Sequence, residues 1–424
     1  MPARSSPSIR ERARAALLVA LAIVVGAVGW SGHVLALPIA MIFPALWALS
    51  PSRLVAAMVS AGYFLAASRG LPQGVANFYA ADLWPGLLLW LAASAGFVVV
   101  HAAAWSNRSA WGRLGKGRPE RGRLGSARPE EAREGRFGAD WARAVRYLLA
   151  AIVMALPPFG ITGWAQPITA AGVLFPGWGW WGLLATAAGL AMLTSRFWPA
   201  AAVALMSFWV WSAATWTGPS LPEGWKGVDL EMGKSLGRDT SLERHRVLIA
   251  TVLQNAGDDI RVIVLPESAL GFWTPTVERL WQEALRGYDI TVIAGAAVLD
   301  SRGYDNVLVA ISAERSQILY RERMPVPVSM WQPWKTWTGE GGAKAHIFGN
   351  SVVEIGGIRI APLICYEQLI VWPFLQSMLS SPDIIVATGN GWWTTGTSIV
   401  AIQRASTIAW ARLFGLPLVT AFNT

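Results

Sequence analysis

Long uninterrupted runs of hydrophobic residues occupy the first half of the chain. About seven of these runs are long enough, or nearly so, to cross the roughly 30 Å hydrocarbon core of a bilayer as helices. Only short polar turns and one longer basic loop separate them. The pattern therefore predicts a multi-span α-helical membrane domain over residues 1–217. The predicted spans lie near residues 14–31, 33–50, 53–69, 83–105, 144–160, 173–193 and 197–215.

The second half of the chain changes to short β-rich runs that alternate with helical stretches. The pair Gly356-Gly357 between two apolar runs is typical of a two-residue β-hairpin turn. Strands that alternate with helices, together with hairpins, predict a layered α/β domain over residues 218–424. The predicted strands are 227–232, 261–265, 290–294, 306–311, 317–320, 352–355, 358–364, 383–387 and 416–421, and the predicted helices are 240–256, 275–284 and 398–413.

The composition supports a membrane protein and excludes several kinds of site. Hydrophobic residues make up 54% of the chain and charged residues 14%, whereas a soluble domain carries roughly 25% charged residues. The single cysteine excludes a disulfide framework and a multi-cysteine metal cluster. The four histidines show no metal-ligand spacing. We therefore expect no metal and no cofactor.

The distribution of basic residues predicts the orientation of the membrane domain. Arginines cluster before the first predicted span, and the loop of residues 107–143 is the most basic stretch of the chain. Four predicted spans separate these two segments, so both can lie in the cytoplasm, as the positive-inside rule requires. Seven spans that start inside place residues 218–424 on the opposite side of the membrane.

The net charge of +9 does not by itself predict a nucleic-acid-binding protein. Much of this charge lies in the loop of residues 107–143, whose Gly, Pro and Arg residues with interspersed Glu are typical of a disordered segment. Such a loop faces the anionic lipid headgroups of the cytoplasmic leaflet. We therefore expect the lipid bilayer as a partner and no specific binding of nucleic acid.

Two residues at strand ends are candidates for chemistry. Cys365 directly follows the predicted strand 358–364, and Glu267 follows the predicted strand 261–265. Reactive groups of α/β folds lie at the carboxyl ends of strands, and a carboxylate can take the proton of a thiol as sulfur attacks a carbonyl carbon. Taken alone, Cys365 is equally typical of a small buried hydrophobe and Glu267 of a charge at a helix start. Both interpretations stay open on spacing alone.

Several short motifs in a fixed order carry a family resemblance. Their order resembles that of the nitrilase, or carbon–nitrogen hydrolase, superfamily. With the preceding spans, the chain is most similar to the apolipoprotein N-acyltransferase branch of that superfamily. Within the branch, residues 324–334 and the basic loop most resemble the TraB conjugal-transfer proteins. The motifs are Val262–Ser268, Tyr304–Asn306, Leu319–Tyr320 with Pro327, Ile360–Glu367, Asn390–Trp393 and Gln403–Ala405.

The resemblance implies a four-layer α-β-β-α fold and a Glu–Lys–Cys triad. In this sequence Glu267 matches the family's general base, and Cys365 matches its nucleophile. Stabilisation of the oxyanion, usually the largest catalytic contribution, would then come from the backbone N–H of Tyr366 and a nearby cation.

The resemblance also implies residues that contact the substrate. Glu367, two residues after the cysteine, matches a glutamate that many members need near the site. The loop that contains Asn390 and Trp393 matches one that lines the family's pocket. We therefore expect Glu367, Asn390, Trp393 and Tyr366 to bind the substrate.

The chain departs from the family pattern at the lysine of the triad. Two residues after Tyr320, where the family has this lysine, the sequence has Glu322. A second carboxylate beside Glu267 would raise the pKa of the thiol when the chemistry needs it lowered. We therefore expect Arg323 to supply the cation beside the thiolate.

Two further departures concern the lid and the end of the domain. Val328–Met330 stands where the acyltransferase branch has a Phe-Gly-Glu element, so the lid glutamate is missing. The sequence ends at Thr424, before the final strands and last span of the family. We therefore expect an α/β domain without its closing strands.

These observations favour a multi-pass protein of the bacterial inner membrane with a periplasmic nitrilase-like domain. We expect it to hydrolyse an amide, or to form one, through a thioester on Cys365. The spans favour a lipid or an acylated substrate, and the resemblance implies a role with the conjugation machinery. The alternative is a nitrilase-like domain with a degraded triad that serves as a structural part of a conjugation apparatus. Residues 322 and 323 distinguish the two interpretations.

Overall fold

The computed structural model describes residues 8–106, 129–233, 241–337 and 341–424. The chain forms two compact units. The first unit extends to Arg69 and resumes from Leu87 to Trp216, and the second contains Gly70–Gly86 and Thr217–Thr424. Gly70–Gly86 lies within the predicted membrane domain of residues 1–217 and groups with the second unit in the structure. Gly74 packs so closely on Trp393 of this unit that a Cβ there would lie 2.5 Å from the indole ring.

The first unit is built from helices that short turns connect. The helix Ile9–Gly29 begins after Ser8, whose side chain accepts the backbone N–H of Glu11. The helix Arg53–Ala67 begins after Ser52, whose side chain accepts the backbone N–H of Val55. The helices, including α4 of the second unit, are α1 (Ile9–Gly29), α2 (Phe43–Leu49), α3 (Arg53–Ala67), α4 (Leu71–Tyr79), α5 (Leu83–Ala104), α6 (Pro129–Ala155), α7 (Ala171–Leu174), α8 (Gly179–Leu193) and α9 (Trp198–Ala214), with 3₁₀ turns at Val34–Ile42, Phe159–Ile161 and Pro167–Ala170.

Several of these helices are candidates for membrane spans. Among the described residues, α1 and α5 are long and apolar enough to cross a bilayer, and α3 with α4 would add a third, bent span. The segment Val34–Leu49, α8 and α9 are apolar but shorter. The arrangement of seven spans and its orientation therefore stay predictions. Of the basic loop, residues 107–128 lie outside the described residues, and residues 129–143 belong to α6 rather than to a loop.

The interior of the first unit is aromatic and closely packed. The rings of Phe43 and Tyr63 stack with their centroids 4.4 Å apart. The indole N–H of Trp30 donates to the hydroxyl of Tyr63 at 2.8 Å, and this hydroxyl donates to the carbonyl of Ala165 at 2.8 Å. The buried polar groups of these rings are thus paired, as stability in an apolar interior requires.

The second unit contains two β-sheets. The first has the order β1 (Trp225–Gly227), β2 (Val262–Val264), β3 (Thr291–Asp300), β4 (Gly303–Ile311) and β5 (Ser316–Arg321). Strands β1, β2 and β3 are parallel, and β3, β4 and β5 are antiparallel. The second has the order β6 (Val353–Ile355), β7 (Ile358–Ile364), β8 (Ile384–Asn390) and β9 (Leu418–Asn423). Its β6–β7 pair is the predicted hairpin, and β7, β8 and β9 are parallel.

The two sheets face each other, with helices on their outer sides. Val264 and Ile293 of the first sheet share a core with Ile364 and Val386 of the second. Alternate residues of the strands of the first sheet point the other way, toward Trp281 and its neighbours on the outer helices. Helices α10 (Leu242–Asn255) and α11 (Pro275–Ala284) cover the first sheet, and α12 (Val371–Met378) and α13 (Ile399–Phe414) cover the second. The unit therefore has the four α-β-β-α layers that the resemblance implied.

The first predicted strand, residues 227–232, is displaced in the structure. Strand β1 ends at Gly227, where a Cβ would lie 2.0 Å from the carbonyl oxygen of Thr420. Beyond it the chain follows the end of β9, because the backbone N–H of Leu230 donates to Phe422 at 2.9 Å. The predicted strand therefore extends past the point where the chain stops hydrogen-bonding beside β2 and begins to hydrogen-bond to the end of β9.

Candidate active site

The carboxyl ends of three strands deliver the candidate residues to one site. Glu267 follows β2, Cys365 directly follows β7, and Asn390 is the last residue of β8. The side chains of Glu267 and Cys365 are buried. Because β2 belongs to one sheet and β7 and β8 to the other, the site forms where the carboxyl ends of facing strands meet.

The carboxyl group of Glu267 is held at both oxygens. The side-chain amide of Asn306 donates to Oε1 at 2.8 Å, and the backbone N–H of Asn390 donates to Oε2 at 3.0 Å. Burial raises the pKa of Glu267 from 4.5 to about 7, although these hydrogen bonds and one from the thiol of Cys365 act in the opposite direction. A carboxyl with a pKa near neutrality is suited to act as a general base.

Cys365 occupies a strained backbone position. Its φ angle is 44°, in the left-handed region that a non-glycine residue adopts at an energetic cost and that recurs at functional sites. The side-chain amide of Gln403 donates to its Sγ at 3.6 Å. Burial is the largest cause that raises the pKa of the thiol well above its usual value, and the carboxyls of Glu267 and Glu322 add to it wherever they are ionised. The thiol is therefore neutral at rest, and Glu267 is placed to take its proton as sulfur attacks.

A glycine in β3 permits the position of the base. A Cβ on Gly295 would lie 2.5 Å from the Cα of Glu267 and 2.4 Å from the backbone nitrogen of Ser268. The N–H of Gly295 donates to the carbonyl of Pro266 at 3.1 Å, which ties the segment after β2 to β3. Only glycine leaves room for this close crossing of the two backbones.

Glu322 lies beside the base. The amide nitrogen of Asn306, besides its bond to Glu267, donates to Oε2 of Glu322 at 2.8 Å. The backbone N–H of Glu322 donates to the carbonyl of Asn306 at 2.9 Å. The side chain of Glu322 is completely buried. A second buried carboxyl group therefore lies next to the base, joined to it through Asn306.

The guanidinium of Arg323 is completely buried and donates through all five of its N–H groups. The expectation that Arg323 supplies the cation beside the thiolate is therefore corrected, because no N–H is left for a thiolate or an oxyanion. The acceptors are the hydroxyl of Tyr320 at 2.7 Å from Nε, the carbonyl of Pro373 at 2.8 Å and Oε1 of Gln376 at 3.1 Å from Nη1, and the carbonyl of Pro362 at 3.3 Å and Oγ of Ser377 at 3.1 Å from Nη2.

Glu367 joins the chain after β5 to the end of β7. Its carboxylate accepts from the hydroxyl of Tyr320 at 2.7 Å, the backbone N–H of Arg323 at 2.7 Å and the backbone N–H of Ile364 at 2.8 Å. Burial raises the pKa of Glu367, and the charge of Arg323 opposes that effect. The expectation that Glu367 binds substrate is corrected, because it is completely buried and positions the residue next to Cys365.

The other residues expected to bind substrate remain at the edge of the site. Tyr366 and Asn390 are half-buried, next to the thiol and the base respectively. The indole N–H of Trp393 donates to the carbonyl of Asn390 at 3.0 Å, and the carbonyl of Trp393 accepts from the side chain of Asn77 in α4 at 3.0 Å. Their contact with a substrate stays a prediction.

Three residues of the site have no role in the prediction from sequence. Asn306 and Gln403 occur there only as parts of motifs, and Gly295 is in none of the motifs. A signal for Asn306 was available, because it is the polar residue that opens the otherwise apolar run to Ile311. Gln403 gives a similar signal on the buried face of α13. Gly295 gives none, because its role depends on a crossing that only the fold creates.

Comparison with known proteins identifies relatives along most of the chain. The model of the carbon–nitrogen hydrolase family matches residues 65–412. The chain is 69% identical over 422 residues to the conjugal transfer protein TraB of Agrobacterium fabrum strain C58, a match that covers 99% of this chain and 96% of that protein. It is 61% identical over 416 residues to a probable conjugal transfer protein TraB of Sinorhizobium fredii, covering 98% of this chain and 100% of that protein. These matches confirm the predicted resemblance.

The solved structures that this chain resembles are more distant. An amidase from Nesterenkonia sp. is 12% identical, with a TM-score of 0.36, and the match covers 49% of this chain and 77% of that chain. A carbon–nitrogen hydrolase from Helicobacter pylori G27 is 13% identical, with a TM-score of 0.34, covering 47% of this chain and 72% of that chain.

Proposed function

The chain belongs to the carbon–nitrogen hydrolase family, and on that premise we propose that it is a membrane-bound enzyme that cleaves or forms a carbon–nitrogen bond through a thioester on Cys365. The observation that carries this proposal is the contact between the thiol of Cys365 and a carboxyl of Glu267 whose oxygens are held by Asn306 and Asn390. A thiol paired with an oriented base is the arrangement that nucleophilic acyl transfer needs.

The reaction follows from this pairing. Glu267 takes the proton of the Cys365 thiol as Sγ attacks the carbonyl carbon of an amide, and the electron pair of the C=O bond moves to oxygen. When the intermediate collapses, the C–N bond breaks, Glu267 returns the proton to nitrogen, and the amine leaves a thioester behind. Attack of water on this thioester would complete a hydrolysis, whereas attack of a second amine would complete an acyl transfer.

We propose a lipid or an acylated molecule as the substrate and the bacterial inner membrane as the location. Support comes from the apolar helices α1 and α5 and from the basic residues near the N-terminus and in the loop of residues 107–143. In this arrangement the chain spans the membrane several times, with residues 218–424 in the periplasm. The names of the two TraB relatives support a role with the conjugation machinery.

A second function has a specific observation in its favour. Glu322 stands where the resemblance places the lysine of the family, and the guanidinium of Arg323 donates all its N–H groups to other acceptors. A site without its cation is what a degraded triad would have. The alternative is therefore a nitrilase-fold protein that serves the conjugation apparatus as a structural part, without acylation of Cys365.

A labelling experiment separates the two functions. The full-length protein, purified in detergent, is treated with a neutral activated ester such as p-nitrophenyl butyrate, and its intact mass is followed with time. The enzyme proposal predicts the gain of one butyryl group, its removal by hydroxylamine, and no gain in Cys365→Ala. Glu267→Gln should slow the reaction by about 100-fold or more, as loss of a general base does.

The matched control for the base is Glu354→Gln, which makes the same change at an exposed carboxylate of β6. This variant should react like the wild type. Equal rates for the wild type and Glu267→Gln, or no hydroxylamine-sensitive adduct in the wild type, would contradict the enzyme proposal and favour the structural alternative.

A further inference from the structure

One amide nitrogen lies between two buried carboxyl groups. Nδ2 of Asn306 is 2.8 Å from Oε1 of Glu267 and 2.8 Å from Oε2 of Glu322. Because an amide nitrogen carries two hydrogens, it donates one to each carboxyl group. The arrangement fixes Glu322 relative to the base that activates the thiol.

The second oxygen of Glu322 has no partner. Oε1 is buried, and within the part of the chain that the structure describes nothing hydrogen-bonds to it. A buried polar atom without a partner is costly and is rare in native proteins. Its position next to the Glu267–Cys365 pair points to a partner that arrives with the reaction.

The charges around Glu322 favour its neutral form. The groups that act on it are the carboxyls of Glu267 and Glu367, and burial together with these two charges raises the pKa of Glu322 well above its usual value. The guanidinium of Arg323 is turned to Tyr320 and other acceptors. Since Oε2 accepts from Asn306, the proton of a neutral Glu322 sits on Oε1.

We propose that Glu322 acts as a neutral carboxylic acid whose Oε1–H donates a hydrogen bond to the oxyanion formed when Cys365 attacks a carbonyl group. This inference rests on the proposed function and gives the site an uncharged donor in place of the lysine. The negative charge that develops on the carbonyl oxygen is stabilised by this donor, while the thiol proton moves to Glu267. Glu322 keeps its own proton throughout, so the proton balance of the reaction is unchanged.

The proposal explains why a carboxyl group is compatible with a thiol nucleophile. An ionised Glu322 would repel both the thiolate and the oxyanion, whereas a protonated one repels neither. A buried carboxylic acid kept neutral by its surroundings is an established kind of oxyanion donor in enzymes.

Two substitutions at one position test the proposal. Glu322→Gln keeps the size of the side chain, an acceptor for Asn306 and an N–H donor at the place of Oε1, whereas Glu322→Met keeps the approximate volume and removes the donor. Acylation of Cys365 by p-nitrophenyl butyrate should slow by less than about 10-fold in the Gln variant. It should slow by about 100-fold or more in the Met variant, as loss of one oxyanion donor does.

A second reaction at the same sulfur serves as the control. Alkylation by iodoacetamide forms no oxyanion, and Cys365 is the only cysteine in the chain, so this reaction reports the thiol alone. The pH profile of alkylation should coincide in the wild type and both variants, because replacing a neutral group leaves the pKa of the thiol in place. This coincidence also shows that the site of the Met variant is intact.

The outcomes are distinguishable. Acylation of Glu322→Met at the wild-type rate overturns the inference and leaves the enzyme proposal standing. An alkylation profile of Glu322→Gln that shifts to lower pH shows that Glu322 is ionised, which also overturns the inference. A wild-type protein that iodoacetamide alkylates but that the ester does not acylate overturns the enzyme proposal, and the inference with it.

Discussion

The backbone N–H of Asn390 donates to the carboxylate of Glu267 at 3.0 Å, across 123 residues of sequence. Glu267 follows a strand of the five-stranded sheet, and Asn390 ends a strand of the four-stranded sheet. The base is therefore oriented by the sheet that also carries Cys365. The site forms only when the two sheets pack on each other, so changes in that packing alter the geometry of Glu267 and Cys365.

The close crossing at Gly295 predicts a loss of activity without any change to a reacting group. Gly295→Ala would place a methyl group within 2.5 Å of the backbone of Glu267 and displace the base. We expect Cys365 acylation to slow by at least about 10-fold, since small displacements of catalytic groups are costly. Overpacking should lower the free energy of unfolding by about 1–3 kcal/mol.

The matched control is Gly218→Ala, where the added methyl group has open space. This variant should acylate and unfold like the wild type. Wild-type acylation by Gly295→Ala would show that the position of Glu267 does not depend on this crossing.

The buried network of Arg323 predicts a structural role for that residue. Its Nε lies 3.7 Å from the carboxylate of Glu367, and both side chains are completely buried. Arg323→Ala leaves an uncompensated buried carboxylate, which costs about 3–5 kcal/mol. We expect little folded protein in the membrane fraction. Arg321→Ala is the control, because Arg321 pairs with Asp305 while 40% of its side chain stays exposed. If the Arg323→Ala protein is stable and acylates only slowly, Arg323 would instead have a catalytic role.

The raised pKa of Glu267 predicts a pH dependence of stability with a definite sign. Folding raises this pKa from 4.5 to about 7, so between these pH values the folded protein binds more protons than the unfolded one. The contribution of Glu267 to stability is thus fully present below pH 4.5 and is lost as the pH rises through about 7.

Glu267→Gln removes this dependence. The free energy of unfolding of the variant relative to the wild type should therefore increase from pH 5 to pH 8, by up to about 3 kcal/mol. Thermal unfolding followed by tryptophan fluorescence at both pH values measures it. A relative stability that falls over this range would mean that the pKa of Glu267 is lowered rather than raised.

The proposed topology predicts the activity of reporter fusions. Alkaline phosphatase fused after Gly218 should be active, because residues 218–424 are assigned to the periplasm. The same enzyme fused within residues 110–135 should be inactive, because the positive-inside rule assigns this loop to the cytoplasm. The reverse pattern would contradict both the topology and the compartment of the site.

The sequence predicted a layered α/β domain, with Glu267 and Cys365 at the ends of strands, because these features leave local signals. The apolar strands before Glu267 and Cys365 are visible as short hydrophobic runs, and Gly356-Gly357 marks the β6–β7 turn. The close packing of Gly74 on Trp393 is a contact between residues distant in sequence, so the hydropathy pattern carries no signal for it.

The choice between Glu322 and Arg323 failed for a different reason. Charge arguments favoured the arginine, because a cation stabilises a thiolate and a carboxylate opposes it. The acceptors that surround Arg323 in the fold leave no signal in the local sequence, and neither does the amide of Asn306 that holds Glu322 beside the base. Such contacts between distant segments decide which of two neighbouring side chains faces the site.

Conjugal transfer by donor cells that carry Cys365→Ala in place of the wild type tests the central claim most directly. Removal of one small buried sulfur should cost no more than about 1–3 kcal/mol, so the protein should insert at a normal level, as a blot of the membrane fraction would verify. The account predicts that the contribution of this protein to transfer frequency is lost in Cys365→Ala and in Cys365→Ser, which keeps the size of the side chain. Wild-type transfer by a normally abundant Cys365→Ala protein would contradict the account and leave a structural role.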